Sequence, residues 1–117
     1  MKKSILKNKS YDFAIQIVKT YKLISSDRKE YTLSKQLLRS GTSIGANIRE
    51  AEFAQSNKDF INKMSIALKE SNETEYWLSL LKDTDYIKVS TYNTLSDLNM
   101  ELIKMLVSTI NTMKSKL

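Results

Sequence analysis

The 117-residue sequence has no cysteine, no histidine and no proline, and only two glycines. Without cysteine there is no disulfide, thiolate metal site or thiol nucleophile. Without histidine, the usual general base near neutral pH and the commonest metal ligand are gone, and Ser-His-Asp triads are excluded. Catalysis would have to rest on carboxylates, lysines and tyrosines alone, so a non-enzymatic protein without cofactor is expected. The scarcity of proline and glycine leaves little punctuation and favours long helices joined by short links. No apolar run approaches the ~20 residues that span a bilayer. The first nine residues are basic but carry no signal-peptide apolar region or cleavage site. A cytoplasmic protein with no membrane association is therefore expected.

Hydrophobic residues make up 41% of the chain and charged residues 27%, an ordinary balance for one globular core. The net charge of +6 is unevenly spread. Residues 1–30 hold eight basic side chains (Lys2, Lys3, Lys7, Lys9, Lys19, Lys22, Arg28 and Lys29) against Asp12, Asp27 and Glu30, a net +5. Such a bias favours encounter with nucleic acid or another polyanion. Its bland counterpart is a lysine-rich surface that keeps the protein soluble.

Four amphipathic segments follow the 3.6-residue period. The first runs from about Ser10 to Ser25 on Phe13, Ile17, Tyr21 and Ile24, with residues 1–9 read as a basic flexible arm. The second begins between Tyr31 and Ser34 and reaches about Ala54, its buried face marked by Leu33, Leu37, Ile44, Ile48 and Ala51. Ser40 to Ser43 could cap a new helix, but the apolar phase carries through, so one continuous helix is preferred. The third starts at Ser56, which sits three residues before Asp59 in a capping-box-like pattern. It continues through Phe60, Met64, Ala67, Leu68, Ser71, Thr74, Leu78 and Leu81. Residues 83–90 form the longest connection, with Ile87 and Val89 tucked beneath it. The fourth starts between Thr91 and Thr94 and follows Leu95, Leu98, Leu102, Leu106, Ile110, Met113 and Leu117 nearly to the end. The reading is all-α: an antiparallel up-down-up-down four-helix bundle over residues 10–117.

Both glycines fall in Ser40-Gly-Thr-Ser-Ile-Gly-Ala-Asn-Ile-Arg-Glu-Ala51, four residues apart inside a helical pattern. Each costs roughly 1 kcal/mol relative to alanine there. With Ser40, Ser43 and Ala46 they make a strip almost without side chains, suited to close helix approach within the chain or between copies. As a phosphate loop the segment lacks the Gly-Lys-Ser/Thr ending and a preceding strand. Glu50, Glu70 and Glu73 could line one interior, but carboxylate di-metal bundles also use Glu-x-x-His. No metal is expected, and these glutamates are read as partners of Arg39, Arg49 or nearby lysines. Of Tyr76 and Trp77, which could stack on a base, one is read as core and the other as rim.

Two stretches resemble a known family. Leu33-Ser-Lys-Gln-Leu-Leu-Arg-Ser-Gly-Thr-Ser-Ile-Gly-Ala-Asn-Ile-Arg-Glu-Ala51 is similar to the first signature of the proteins named for 23S rRNA intervening sequences. Phe60-Ile-Asn-Lys-Met-Ser-Ile-Ala-Leu-Lys-Glu-Ser-Asn-Glu-Thr-Glu-Tyr-Trp-Leu78 resembles the second. The resemblance implies a four-helix bundle assembled into a homopentameric ring. It also implies kinship with the accessory variability determinant proteins of diversity-generating retroelements, similar pentamers linked to nucleic acid and a reverse transcriptase. It marks Arg39, Gly41, Gly45, Asn47, Glu50, Glu70, Glu73 and Trp77 as packing and assembly positions. The expected activity is nucleic-acid binding, to RNA or DNA, through Lys2, Lys3, Lys7, Lys9, Lys22, Arg28 and Lys29. The alternative is a scaffold for a protein partner with no nucleic-acid role.

Overall fold

The computed structural model describes residues 2–117, and their side chains from Ile5 onward. The described residues form four helices and no strand: α1 (Lys2–Asp27), α2 (Leu33–Ala51), α3 (Asn57–Asp83) and α4 (Val89–Lys114). They pack as a rod of 47 × 21 × 20 Å.

The largest departure from expectation is at the start. Residues 5–9 are not an arm, because α1 is already helical there. Leu6 is only 1% exposed. It lies seven residues, or two turns, before Phe13 on the same face. Burying one leucine is worth roughly 1.5–3 kcal/mol, which ties the added turns to the core. Ser10 is buried behind it, its hydroxyl donating to the Lys7 carbonyl at 2.9 Å.

Each later boundary has a local cause. Lys29 sits in the left-handed region (φ 52°) and ends α1. The Glu30 carboxylate then accepts from the backbone N–H groups of Thr32, Leu33 and Ser34 at 3.0, 2.9 and 2.8 Å. These donors have no intrahelical acceptor at a helix start. Burial opposes the charge on Glu30, but the bonds from Leu33, Ser34 and Thr32 outweigh it and hold its pKa below the ordinary value. Helix α2 stops at Ala51, three residues short of the expected Ala54, and residues 52–54 close a tight turn. Ser56 caps α3 as its spacing predicts, accepting from the Asp59 N–H at 3.1 Å. Asp59 in return accepts from the Gln55 N–H at 3.2 Å. Helix α4 opens two residues ahead of Thr91, at Val89, which is 63% exposed rather than tucked in. Ile87 does pack partly against the core.

The core is one stripe per helix: Leu6, Phe13, Ile17 and Ile24; Leu37, Ile44 and Ile48; Phe60, Met64, Leu78 and Leu81; Leu95, Leu102, Leu106 and Ile110. Cross-helix pairs run in opposite directions. Ile17 meets Gly41 and Ser10 meets Gly45. Glu50 pairs with Lys63, while Ser40 bonds Thr74. Ser71 bonds Asn99, and Glu75 bonds Tyr92. Consecutive helices are therefore antiparallel.

The glycine strip faces α1 of the same chain. A Cβ on Gly41 would lie 2.8 and 2.9 Å from the Ile17 side chain, closer than packed carbons approach. A Cβ on Gly45 would meet the Ser10 hydroxyl at 3.3 Å and its carbonyl oxygen at 3.4 Å. The missing side chains let α2 lie against α1, which is what offsets their helix-propensity cost. Gly41→Leu is expected to lower stability by about 1–3 kcal/mol through overpacking against Ile17, read as a fall in the thermal midpoint by circular dichroism. Melting at the wild-type temperature would refute the close approach of the two helices.

Candidate functional site

The polar side chains marked in the sequence fall into two seams flanking α3. Between α2 and α3, Arg39 pairs with Glu70 at 3.2 Å and also with Glu73. Glu73 accepts from the Trp77 indole N–H at 3.1 Å, one turn further on. The Trp77 bond, with Arg39 behind it, outweighs burial and lowers the Glu73 pKa. Beneath this surface group, the Thr74 hydroxyl donates to Ser40 at 3.0 Å, with both residues fully buried. Glu70 and Glu73 thus serve Arg39, one of the basic partners expected for them. Glu50 is held by Lys63 at 3.3 Å. Asn47 donates to the Ser43 carbonyl at 2.8 Å within its own helix. No group of three or more carboxylates among the described residues is placed to hold a metal ion. Trp77 packs against the core while Tyr76 stays exposed beside it, the rings edge-on at 5.0 Å.

The second seam, between α3 and α4, is centred on Asn99, and the sequence reading missed it. Asn99 is 0% exposed. Its amide donates to the Ser71 carbonyl at 2.9 Å and to Glu75 at 3.3 Å, and its oxygen accepts from the Ser71 hydroxyl. Glu75 also accepts from Tyr92 at 2.7 Å and from Ser96 at 2.9 Å. The available signal was a polar residue standing between Leu95 and Leu102 on an apolar seam.

The nominated cations do not converge. Lys7 and Lys9 lie near the start of α1, paired with Glu52 at 3.2 Å and Glu101 at 3.0 Å. Lys22 is roughly 22 Å further along the helix at 1.5 Å per residue. Beyond it, Arg28 donates to the Asp85 carbonyl at 2.6 Å and lies over the Tyr86 ring at 5.2 Å. Lys29 is exposed at the same end. The side chains of Lys2 and Lys3 lie outside the described residues.

Charge gathers at the end where α1 and α3 begin and α2 and α4 finish. Most of the nearby carboxylates are engaged, Glu52 by Lys7, Glu50 by Lys63, Glu101 by Lys9 and Asp59 by a backbone N–H. Asp12, beside Arg49, is exposed and forms no ion pair among the described residues. Arg49, Lys58, Lys114 and Lys116 are exposed there and form no ion pair among the described residues.

Helix order, close α1–α2 packing and polar seams on either side of α3 define a small all-helical bundle whose interior polar groups fix helix register. The family model described as 23S rRNA-intervening sequence protein matches residues 2–108, and the chain belongs to this family. A solved structure from Bacteroides thetaiotaomicron, described as a protein of unknown function from the S23 ribosomal protein family, is similar over the whole fold. It is 56% identical, with a TM-score of 0.94, over 95% of this chain and 99% of that one. No curated protein matches the chain.

The lowered Glu73 pKa has a consequence for stability. The folded value lies below the unfolded one, so the ionised carboxylate stabilises the fold above the unfolded pKa of about 4.3. That contribution is lost as pH falls through the folded value. The gap in urea midpoint between wild type and Glu73→Gln is therefore expected to be widest at neutral pH and to close in acid. The fluorescence of Trp77, the one tryptophan, reports unfolding directly. A gap unchanged with pH would contradict the assignment.

Proposed function

We propose that this chain is a non-enzymatic, cytoplasmic, homo-oligomeric bundle that binds nucleic acid through its basic end. The reading is carried by the distribution of charge there: Glu50, Glu52 and Glu101 are paired with lysines, while Arg49, Lys58, Lys114 and Lys116 face solvent without ion pairs among the described residues. Lysine and arginine bind phosphate largely without regard to sequence, and the counterions they displace make binding fall steeply with salt. At the opposite end Lys22, Lys29, Lys35 and Lys88 are likewise exposed without ion pairs among the described residues, but the exposed Asp27, Asp83 and Asp85 stand among them and offset their field. The pentameric ring implied by the resemblance would present the basic end repeatedly, converting weak single contacts into avidity. The family's name associates it with ribosomal RNA genes, which is consistent with a nucleic-acid partner but does not choose between RNA and DNA.

The test is a salt series with labelled RNA and DNA on protein of measured mass. Wild type is expected to show a steep negative slope of log affinity against log salt. Replacing Lys58, Lys114 and Lys116 together by Ala should flatten the slope by about 0.7–0.9 for each phosphate that is no longer neutralised. Replacing Lys22 and Lys29 should leave it nearly unchanged. Equal slopes for the first variant and wild type would show that nucleic acid does not bind at this end. A protein partner that survives nuclease treatment, with no nucleic-acid binding, would favour the scaffold reading.

A further inference from the structure

Phe53 is the most exposed large apolar side chain in the described structure, at 76%. It occupies the turn between α2 and α3, whose N–H groups are satisfied by backbone bonds from Phe53 to Glu50 and from Ala54 to Ala51, each 3.1 Å. Nothing in the fold needs an aromatic ring at this position. Its chain neighbours Glu52 and Ala54 line a hollow of about 320 Å³ that runs to the C-terminal turn of α4. Phe60 and Met113 give the hollow an apolar floor, and Gln55 and Asn57 stand on its wall. The side-chain amides of Gln55 and Asn57 form no hydrogen bond within the described residues. Lys58 lies one residue beyond Asn57, and Lys114 one residue beyond Met113.

An exposed ring, a small hollow with an apolar floor and amide walls, and flanking lysines match the needs of an unpaired nucleotide. Aromatic rings stack on the face of any base. Amides have both donors and acceptors for a base edge, and the lysines reach the adjoining phosphates. A duplex buries its base faces in its own stack and cannot use the ring in this way.

We infer that the α2–α3 turn is a nucleotide-binding site for single-stranded nucleic acid, with Phe53, which stands outside the lining of the hollow, stacking on one base and the hollow beside its turn open to a neighbouring one. The inference rests on the proposed polyanion binding and adds to it a preference for unpaired strands.

The experiment is fluorescence anisotropy with fluorescein-labelled single-stranded oligouridylate and with an RNA duplex of the same length, at fixed low salt. Wild type should bind the single strand more tightly. Phe53→Ala should weaken single-strand binding roughly tenfold or more and leave duplex binding and the thermal midpoint unchanged. Phe53→Trp should retain single-strand binding, whereas Phe53→Leu, apolar without a π-face, should behave like Phe53→Ala. Unchanged single-strand affinity in Phe53→Ala, or an equal loss on strand and duplex, would overturn the stacking site while leaving polyanion binding in place. If wild type binds neither probe, the polyanion reading fails and this inference with it.

Discussion

The structure depends on buried hydrogen bonds that α3 makes to the helices on either side of it. Thr74 to Ser40 fixes α2, and Ser71 with Asn99 fixes α4, with all four residues at 0% exposure. Apolar stripes alone tolerate sliding, because leucine against isoleucine is almost as good one turn along. A buried hydroxyl or amide does not, since losing its partner costs about 1–3 kcal/mol. These bonds therefore choose the register that the hydrophobic faces leave open. The Arg39, Glu70 and Glu73 group repeats the choice at the surface, where solvent weakens ion pairs and geometry counts for more than energy.

Register decides what the two ends of the rod contain. With α2 and α4 locked to α3, and α1 seated on Gly41 and Gly45, the turn after α2 comes beside the last turn of α4. The same alignment brings Lys7 to Glu52 and Lys63 to Glu50, pairing two of the acidic groups of that end. Arg49, Lys58, Lys114 and Lys116 remain exposed towards that end without ion pairs among the described residues. Polar bonds in the middle of the bundle thus organise a basic surface about one helix half-length away.

Much of this architecture was legible in the sequence, because helical periodicity is local. Most positions of the four stripes and the Ser56–Asp59 cap depend on residues a turn or two apart, though Leu98 and Leu117 of the expected α4 stripe are exposed. A basic partner for the α3 glutamates is expected without a choice between Arg39, Arg49 and the lysines. The errors have physical causes. The lysines before Ser10 suggested a solvated arm, yet Leu6 continues the stripe of Phe13 and Ile17, and the lysine heads stay in water while the helix turns. Asn99 was passed over because its meaning lies on another helix: only Ser71 and Glu75 distinguish it from a misplaced polar residue. The cations of residues 1–30 read as one cluster because adjacency in sequence hides the length of α1. Phe53 was assigned to the end of α2, and its exposure became visible only once the helix was seen to stop at Ala51.

The central claim is that nucleic acid meets the end bearing Phe53 and the unpaired lysines. Hydrogen–deuterium exchange with and without a single-stranded RNA oligonucleotide tests it most directly, since it maps the binding surface without altering a residue. The account predicts protection concentrated in residues 49–60 and 111–117, with the α1–α2 turn around Lys29 unaffected. Protection centred on Lys22 to Lys29, or spread evenly over the bundle, would contradict it.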